Sequence, residues 1–279
     1  MPLFFASLNS GSNGNCYYVG TERDAVLVDA GISCRQTEQR MKRLGLSLNA
    51  VRAIFISHEH TDHISGLVRL AGKYQLPVYI TPRTLLHSGL PGNELRVSPL
   101  RAYEPVQLGD LRVTAFPKLH DATDPHSFLV TGPDAAVGVF TDIGAPCEHV
   151  IHHFRQCHAA FLETNYDDDL LEKGRYPHSL KQRIRGQHGH LSNAQALALF
   201  RAHKPEFMTH LILSHVSKDN NHPRIIRELF APHRDGTELI VASRWEETAV
   251  FRVGPPECIP TILGENGEPN PAIRAGWAS

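Results

Sequence analysis

Short apolar runs broken by Gly, Asp, Ser and Pro recur from the first residues of the chain. Runs of this length between turn formers predict strands. They fall at Phe4–Leu8, Cys16–Val19 and Ala25–Asp29. From about Ser33 to Leu44 the apolar spacing becomes helical, with Ser33 as N-cap and Gly45 as the stop. A buried strand, Ala53–Ser57, then runs directly into a histidine-rich loop, and Ile64–Tyr74 reads as the next helix. Pro77–Ile80 is a further strand, and Val106–Leu108 and Leu111–Phe116 flank Gly109-Asp110 as a hairpin. The second half repeats this style. Strands are predicted at Ser127–Thr131, Val137–Thr141, Ala159–Leu162, Met208–Ser214, Glu238–Ala242 and Ala249–Val253. Helices are predicted at Cys147–Gln156, Leu180–Arg185 and Pro223–Phe230, and from a Ser192 cap to Ala202.

Strands interleaved with helices place the chain in the α/β class, with helices over both outer faces of packed sheets. No low-complexity linker interrupts it before Gly254, so one domain is expected over 1–254, followed by a Gly/Pro-rich extended tail over 255–279. The length, 279 residues, is enough for a substantial core. Lys and Arg number 28 against 29 Asp and Glu, so net charge does not mark a nucleic-acid binder and any basic surface must be local. No run of ~18 apolar residues suggests a membrane span. The apolar N-terminus is short and lacks a basic start, so it reads as a first strand, not a signal peptide, and a cytoplasmic location is expected. The five cysteines are odd in number and none pair at C-x-x-C spacing, which argues for reduced thiols over disulfides or a thiolate zinc finger. Histidine, with 18 residues, is the outlier.

The histidines become chemistry at His58-x-His60-x-Asp62-His63. Residues two apart on an extended segment point to the same side, so His58 and His60 can grip one cation together. Asp62 and His63 lie further round the turn, where they can grip a second. Imidazole nitrogen and carboxylate oxygen suit Zn²⁺, and also Mn²⁺ or Fe²⁺. Further ligand-type residues stand just past apolar strands: His120, Asp142 and His215. A lone strand-end His or Asp is more often a turn residue; their order after the first motif argues otherwise. A carboxylate such as Asp142 can bridge two cations ~3.5–4 Å apart, with a hydroxide between them.

The order His-x-His-x-Asp-His, then His, Asp and His, resembles the metallo-β-lactamase superfamily over nearly the whole chain. The resemblance implies a four-layer αββα sandwich with a dinuclear site at one edge. It implies that His58, His60 and His120 hold one metal, that Asp62, His63 and His215 hold the other, and that Asp142 bridges them. Asp at 142, where zinc β-lactamases usually carry Cys, resembles the hydrolase and phosphodiesterase branches. Ser10-Gly11-Ser12-Asn13-Gly14-Asn15-Cys16, Leu162-Glu163-Thr164-Asn165-Tyr166, Gly189-His190-Leu191-Ser192-Asn193 and the run Leu213–Asn221 look like the YycJ/WalJ-type metallohydrolases. That branch implies a DNA 5′→3′ exonuclease-like hydrolase using a metal-bridging hydroxide, with Asp62 in the catalytic centre. The chain also resembles transfer-RNA 3′-processing ribonucleases and small cyclic phosphodiesterases, which pair a Glu with a histidine near the metals. Glu163 would thus orient His190, which would protonate the leaving oxygen. The Ser10–Asn15 loop, with Ser12 and Asn15, is expected to wall the substrate site, as an alternative to a plain turn. The local basic stretch with Arg183 and Arg185, joined by Lys218, is the candidate contact for a nucleic-acid backbone, as an alternative to a solvated helix face. Competing readings are a cyclic phosphodiesterase or a lactone or thioester hydrolase on the same site, and a non-catalytic metal-binding regulatory protein.

Overall fold

The computed structural model describes residues 1–254, so the expected tail over 255–279 lies outside the described residues. In chain order the strands are β1 (Leu3–Asn9), β2 (Cys16–Gly20), β3 (Ala25–Val28), β4 (Val51–Phe55), β5 (Pro77–Ile80), β6 (Arg96–Pro99), β7 (Val106–Leu108), β8 (Leu111–Pro117), β9 (His126–Thr131), β10 (Ala136–Phe140), β11 (Ala159–Glu163), β12 (His210–Ser214), β13 (Glu238–Val241) and β14 (Phe251–Val253). The helices are α1 (Cys34–Arg43), α2 (Thr61–Ile64), α3 (Leu67–Tyr74), α4 (Pro82–His87), α5 (Glu148–Phe154), α6 (Asp168–Lys173), α7 (His178–Arg185), α8 (Asn193–His203) and α9 (Pro223–Phe230).

The strands form two sheets, ordered β14-β1-β2-β3-β4-β5-β6 and β13-β12-β11-β10-β9-β8-β7. Each sheet starts antiparallel and continues parallel, from β3 in the first and from β10 in the second. Parallel neighbours need crossovers, and the helices supply them. The last strand returns to pair with β1.

Along the strands the side chains alternate between two cores. Tyr17, Val19, Val26, Val28, Ala53 and Phe55 meet Val113, Phe128, Val137 and Phe161 between the sheets. Their neighbours Cys16, Tyr18, Leu27 and Ile54 face Met41, Leu67 and Leu70 of α1 and α3. On the other outer face, Leu129, Phe140 and Leu211 pack against Phe154, Phe200 and Phe230 of α5, α8 and α9. With both faces buried, strands read as continuous apolar runs. This is the expected αββα sandwich. Among the described residues no helix is long and apolar enough to cross a membrane. Among the described residues Cys16, Cys34, Cys147 and Cys157 are free, and Cys258 lies outside them.

One element differs from expectation where it matters. The helix expected from Ile64 begins only at Leu67, and Thr61–Ile64 form a separate turn, α2. The break is at Gly66, whose N–H donates to Ala30 O. A Cβ there would stand 1.8 Å from Ile32 O, so only glycine permits this approach. The contact pins the histidine loop onto the end of β3.

Candidate metal centre

Chemistry-bearing side chains gather where β3, β4, β8, β10, β11 and β12 end. Asp29 follows β3, Ser57 to His63 follow β4, His120 follows β8, Asp142 follows β10, Glu163 ends β11 and His215 follows β12. Ligand sites at the carboxyl edge of parallel strands follow from strand direction, because the loops there converge. Asp29, Asp142 and His215 have φ of 62°, 54° and 54°. This left-handed conformation is uncommon for residues other than glycine, though Asp and His tolerate it better than most. It turns the chain sharply at the strand end and leaves the side chain facing the centre.

Hydrogen bonds fix which nitrogen each imidazole offers. Ser57 Oγ donates to Asp29 Oδ2 at 2.9 Å, so it accepts from His58 Nδ1 at 2.8 Å. His63 Nδ1 donates to Asp29 Oδ2 at 2.7 Å. His120 Nδ1 donates to Gly189 O at 3.1 Å, and His215 Nδ1 to Glu163 Oε1 at 2.9 Å. A ring donating from Nδ1 presents Nε2 as its lone pair. His58 Nε2 and His120 Nε2 lie 3.0 and 3.4 Å from His60 Nδ1, so three imidazoles converge on one point. A second group joins Asp62, His63 and His215, with Asp62 Oδ2 3.6 Å from His63 Nε2 and 3.7 Å from His215 Nε2. Asp142 stands between the groups. Its Oδ2 is 3.2 Å from His63 Nε2 and its Oδ1 is 3.8 Å from His120 Nε2.

This arrangement fits divalent cations. Asp142 Oδ2 and His215 Nε2 are buried and make no hydrogen bond. Buried polar atoms are rarely left so, and a bound cation is one standard partner for such a pair. Nitrogen and carboxylate donors are the set that Zn²⁺ and similar ions take. The carboxylates and imidazoles of the cluster set one another's charge. Burial works against a charged His63, but Asp142, Asp29 and Asp62 outweigh it and hold its pKa well above the usual histidine value. His215 is likewise raised to about 10, with burial outweighed by Asp142, Asp62 and Glu163. His58 goes the other way, held neutral by burial and by the nearby His63, and burial brings His120 down to about 3.

Glu163 is fully buried and spends every acceptor site. Its Oε1 accepts from His190 Nδ1 at 2.8 Å as well as from His215, and Oε2 accepts from Ile143 N and Leu191 N. Burial alone would raise this carboxyl; His190 and His215 instead bring it down to about 2. His190 borders a cavity of about 210 Å³, walled also by Ser12, Asn165, Tyr176, Arg183 and Ser217.

The other expected contacts are distributed differently. Asn15 is fully buried, with its amide on His63 Nε2 and Asp62 Oδ2 at 3.1 and 3.2 Å. Arg183 lines the cavity but is paired with Asp121. Arg185 is bound to Glu172 and does not line it. Lys218 faces a neighbouring groove. Glu59, inside the histidine motif, turns aside to accept Thr123 N–H. Sequence reasoning missed Asp29 and Ser57. Asp29 carries the same signal that singled out Asp142, a carboxylate just past an apolar strand. It also missed Lys118, a buried ammonium behind the centre that donates to Thr141 O at 2.7 Å.

The family model for the β-lactamase superfamily domain matches residues 24–216. The chain is 35% identical to exodeoxyribonuclease YycJ of Bacillus anthracis over 235 residues, 81% of this chain and 87% of that protein. It is 29% identical to exodeoxyribonuclease WalJ of Streptococcus pneumoniae over 222 residues, 78% and 82% of the two chains. Among solved structures, the metallo-β-lactamase fold protein YhfI of Bacillus subtilis superposes with a TM-score of 0.68 at 16% identity, covering 90% of this chain and 99% of that one. The last likeness bears on the fold alone.

Proposed function

From the premise that the chain belongs to the metallo-β-lactamase superfamily, in its YycJ/WalJ-type branch, and is a metal-dependent hydrolase, we propose that it is a dinuclear phosphodiesterase acting as a DNA 5′→3′ exonuclease. His58, His60 and His120 would hold one divalent cation, Asp62, His63 and His215 the other, and Asp142 both, with Zn²⁺ as first choice and Mn²⁺ or Fe²⁺ as alternatives. Two such ions supply Lewis acidity toward the phosphate and activate water as the nucleophile. Asp29, Ser57 and Asn15 orient the ligands. His190, held through Nδ1 by Glu163, has its other nitrogen free to give a proton to the leaving alkoxide.

The observation that carries this reading is the shared Glu163 Oε1, which bonds His215 and His190 together. One carboxylate thereby ties the proton donor to the metal cluster. A regulatory protein without chemistry would have no use for that link. The preference for DNA rests on the exodeoxyribonuclease relatives. The small cavity favours a small phosphodiester as the second reading.

The test is the protein reconstituted with Zn²⁺ or Mn²⁺ and given end-labelled single- and double-stranded DNA and RNA, with His58→Ala alongside. Stepwise loss from the 5′ end of DNA, absent in the variant, is expected. No cleavage of any polymer by protein carrying two metals per chain would replace the nuclease reading with the small-substrate one.

A further inference from the structure

The cavity at His190 shares Ser217 as a wall with a larger neighbouring groove of about 550 Å³. Its walls are the segment after β12, the start of α9 and the loop after β13. Lys218, Arg227 and Arg244 line it, against one carboxylate, Glu246. Lys218 and Arg227 are exposed, and among the described residues neither has an ion-pair partner. Arg244 Nε is buried without a hydrogen-bond partner.

Trp245, 69% exposed, stands on the same wall, with the Arg244 guanidinium 5.5 Å from its ring centroid. A single exposed aromatic is ordinary on a protein surface. This one is held in place. Trp245 N–H donates to Ser243 Oγ, its carbonyl accepts Arg40 Nη2 at 2.8 Å, and the Arg244 carbonyl accepts the Asn13 amide at 2.7 Å. An exposed aromatic on a backbone fixed in this way, beside unpaired cations, is what a single polynucleotide strand requires: a ring for a base face and positive charge for phosphates. A duplex would hide its base faces in its own stack.

We infer that this groove is the track for single-stranded nucleic acid leaving the metal centre, with Trp245 stacking a base and Lys218, Arg227 and Arg244 meeting phosphates. The inference rests on the nuclease reading and extends it. A dinucleotide fills only the cavity at His190, so the groove acts on longer strands alone.

The test uses a phosphorothioate dinucleotide and a phosphorothioate oligothymidylate of about twelve nucleotides, within the ~4–16 nucleotides that one single-strand-binding fold covers. Affinity is read by fluorescence anisotropy for wild type, Trp245→Ala and Arg227→Ala. Both side chains are exposed, so the melting temperature is expected to stay at the wild-type value. For the long strand, Trp245→Ala should bind about ten-fold more weakly, the scale of one lost stack. Arg227→Ala should flatten the log–log salt slope by about 0.7, the value for one single-strand phosphate. Dinucleotide affinity should not change. Long-strand binding equal to wild type in both variants overturns the track, as does a duplex bound as tightly as the single strand. If wild type still degrades DNA in that case, the nuclease reading stands without the track. If wild type neither binds nor cuts any oligonucleotide yet hydrolyses bis(p-nitrophenyl) phosphate, the nuclease reading fails and the track with it.

Discussion

Asp29 holds Ser57 and His63 with one carboxylate. Oδ1 accepts the Ser57 N–H, and Oδ2 accepts both the Ser57 hydroxyl and His63 Nδ1. Outer partners of this kind typically contribute ~10–100-fold to metal affinity. Asp29→Asn is therefore expected to bind Zn²⁺ more weakly by about that factor, measured by competition with a chelator; unchanged affinity would remove Asp29 from the design. His190→Ala should lower kcat on DNA by ~10²–10⁴, the usual range for a lost general acid. The loss should be far smaller on bis(p-nitrophenyl) phosphate, whose leaving group needs no proton, with metal content unchanged. Equal losses on both substrates would assign His190 a structural role. The residues that gather at the candidate metal centre were legible because their order follows strand ends and their types are specific. Asn15 was legible as part of a loop, but not as the partner of His63, because that contact spans 48 positions.

At the scale of elements, the N-cap of α8 lies two residues after His190 and carries a full capping box. Ser192 Oγ accepts Gln195 N–H and the Gln195 side chain accepts Ser192 N–H. Ser192→Ala is expected to cost ~0.5–2 kcal/mol in urea unfolding. In α5, His153 lies flat on Phe116, with centroids 3.8 Å apart. Burial, helped by nearby His152 and His149, holds its pKa below the usual value. The unfolded chain then binds this proton more readily, so the contribution is present above pH ~6.5 and fades as pH falls below it. His153→Phe should flatten the stability curve between about pH 5 and 7 relative to wild type; parallel curves would refute this. Both helices with a capping box, α1 and α8, were legible from the Ser at the N-cap. The elements α4, β6 and α6 were not. Each turns mostly to solvent, burying Thr84, no residue and Leu171 respectively, so no apolar period marks them.

For the molecule as a whole, the two sheets meet through rings. Phe161 of β11 lies 5.9 Å from Phe5 and 4.9 Å from Tyr17 of the opposite sheet. Phe161→Ala should cost ~3–5 kcal/mol in equilibrium unfolding, the usual figure for a large side chain lost from a core. A cost below ~1 kcal/mol would mean that the sheets close over the gap. Because Glu163 ends the same strand, this core also sets where the carboxylate partner of His190 stands. The sequence by itself determined the layered α/β class, most strands and the residues that gather at the candidate metal centre. Those properties live in local periodicity and in residue types at strand ends. Only the tertiary structure decided which nitrogen each histidine presents, that Asp29 stands behind His58 and His63, and that Trp245 lines a groove sharing Ser217 with the cavity at His190. These depend on contacts between segments tens to hundreds of residues apart, which are set by how the sheets stack and not by any local pattern.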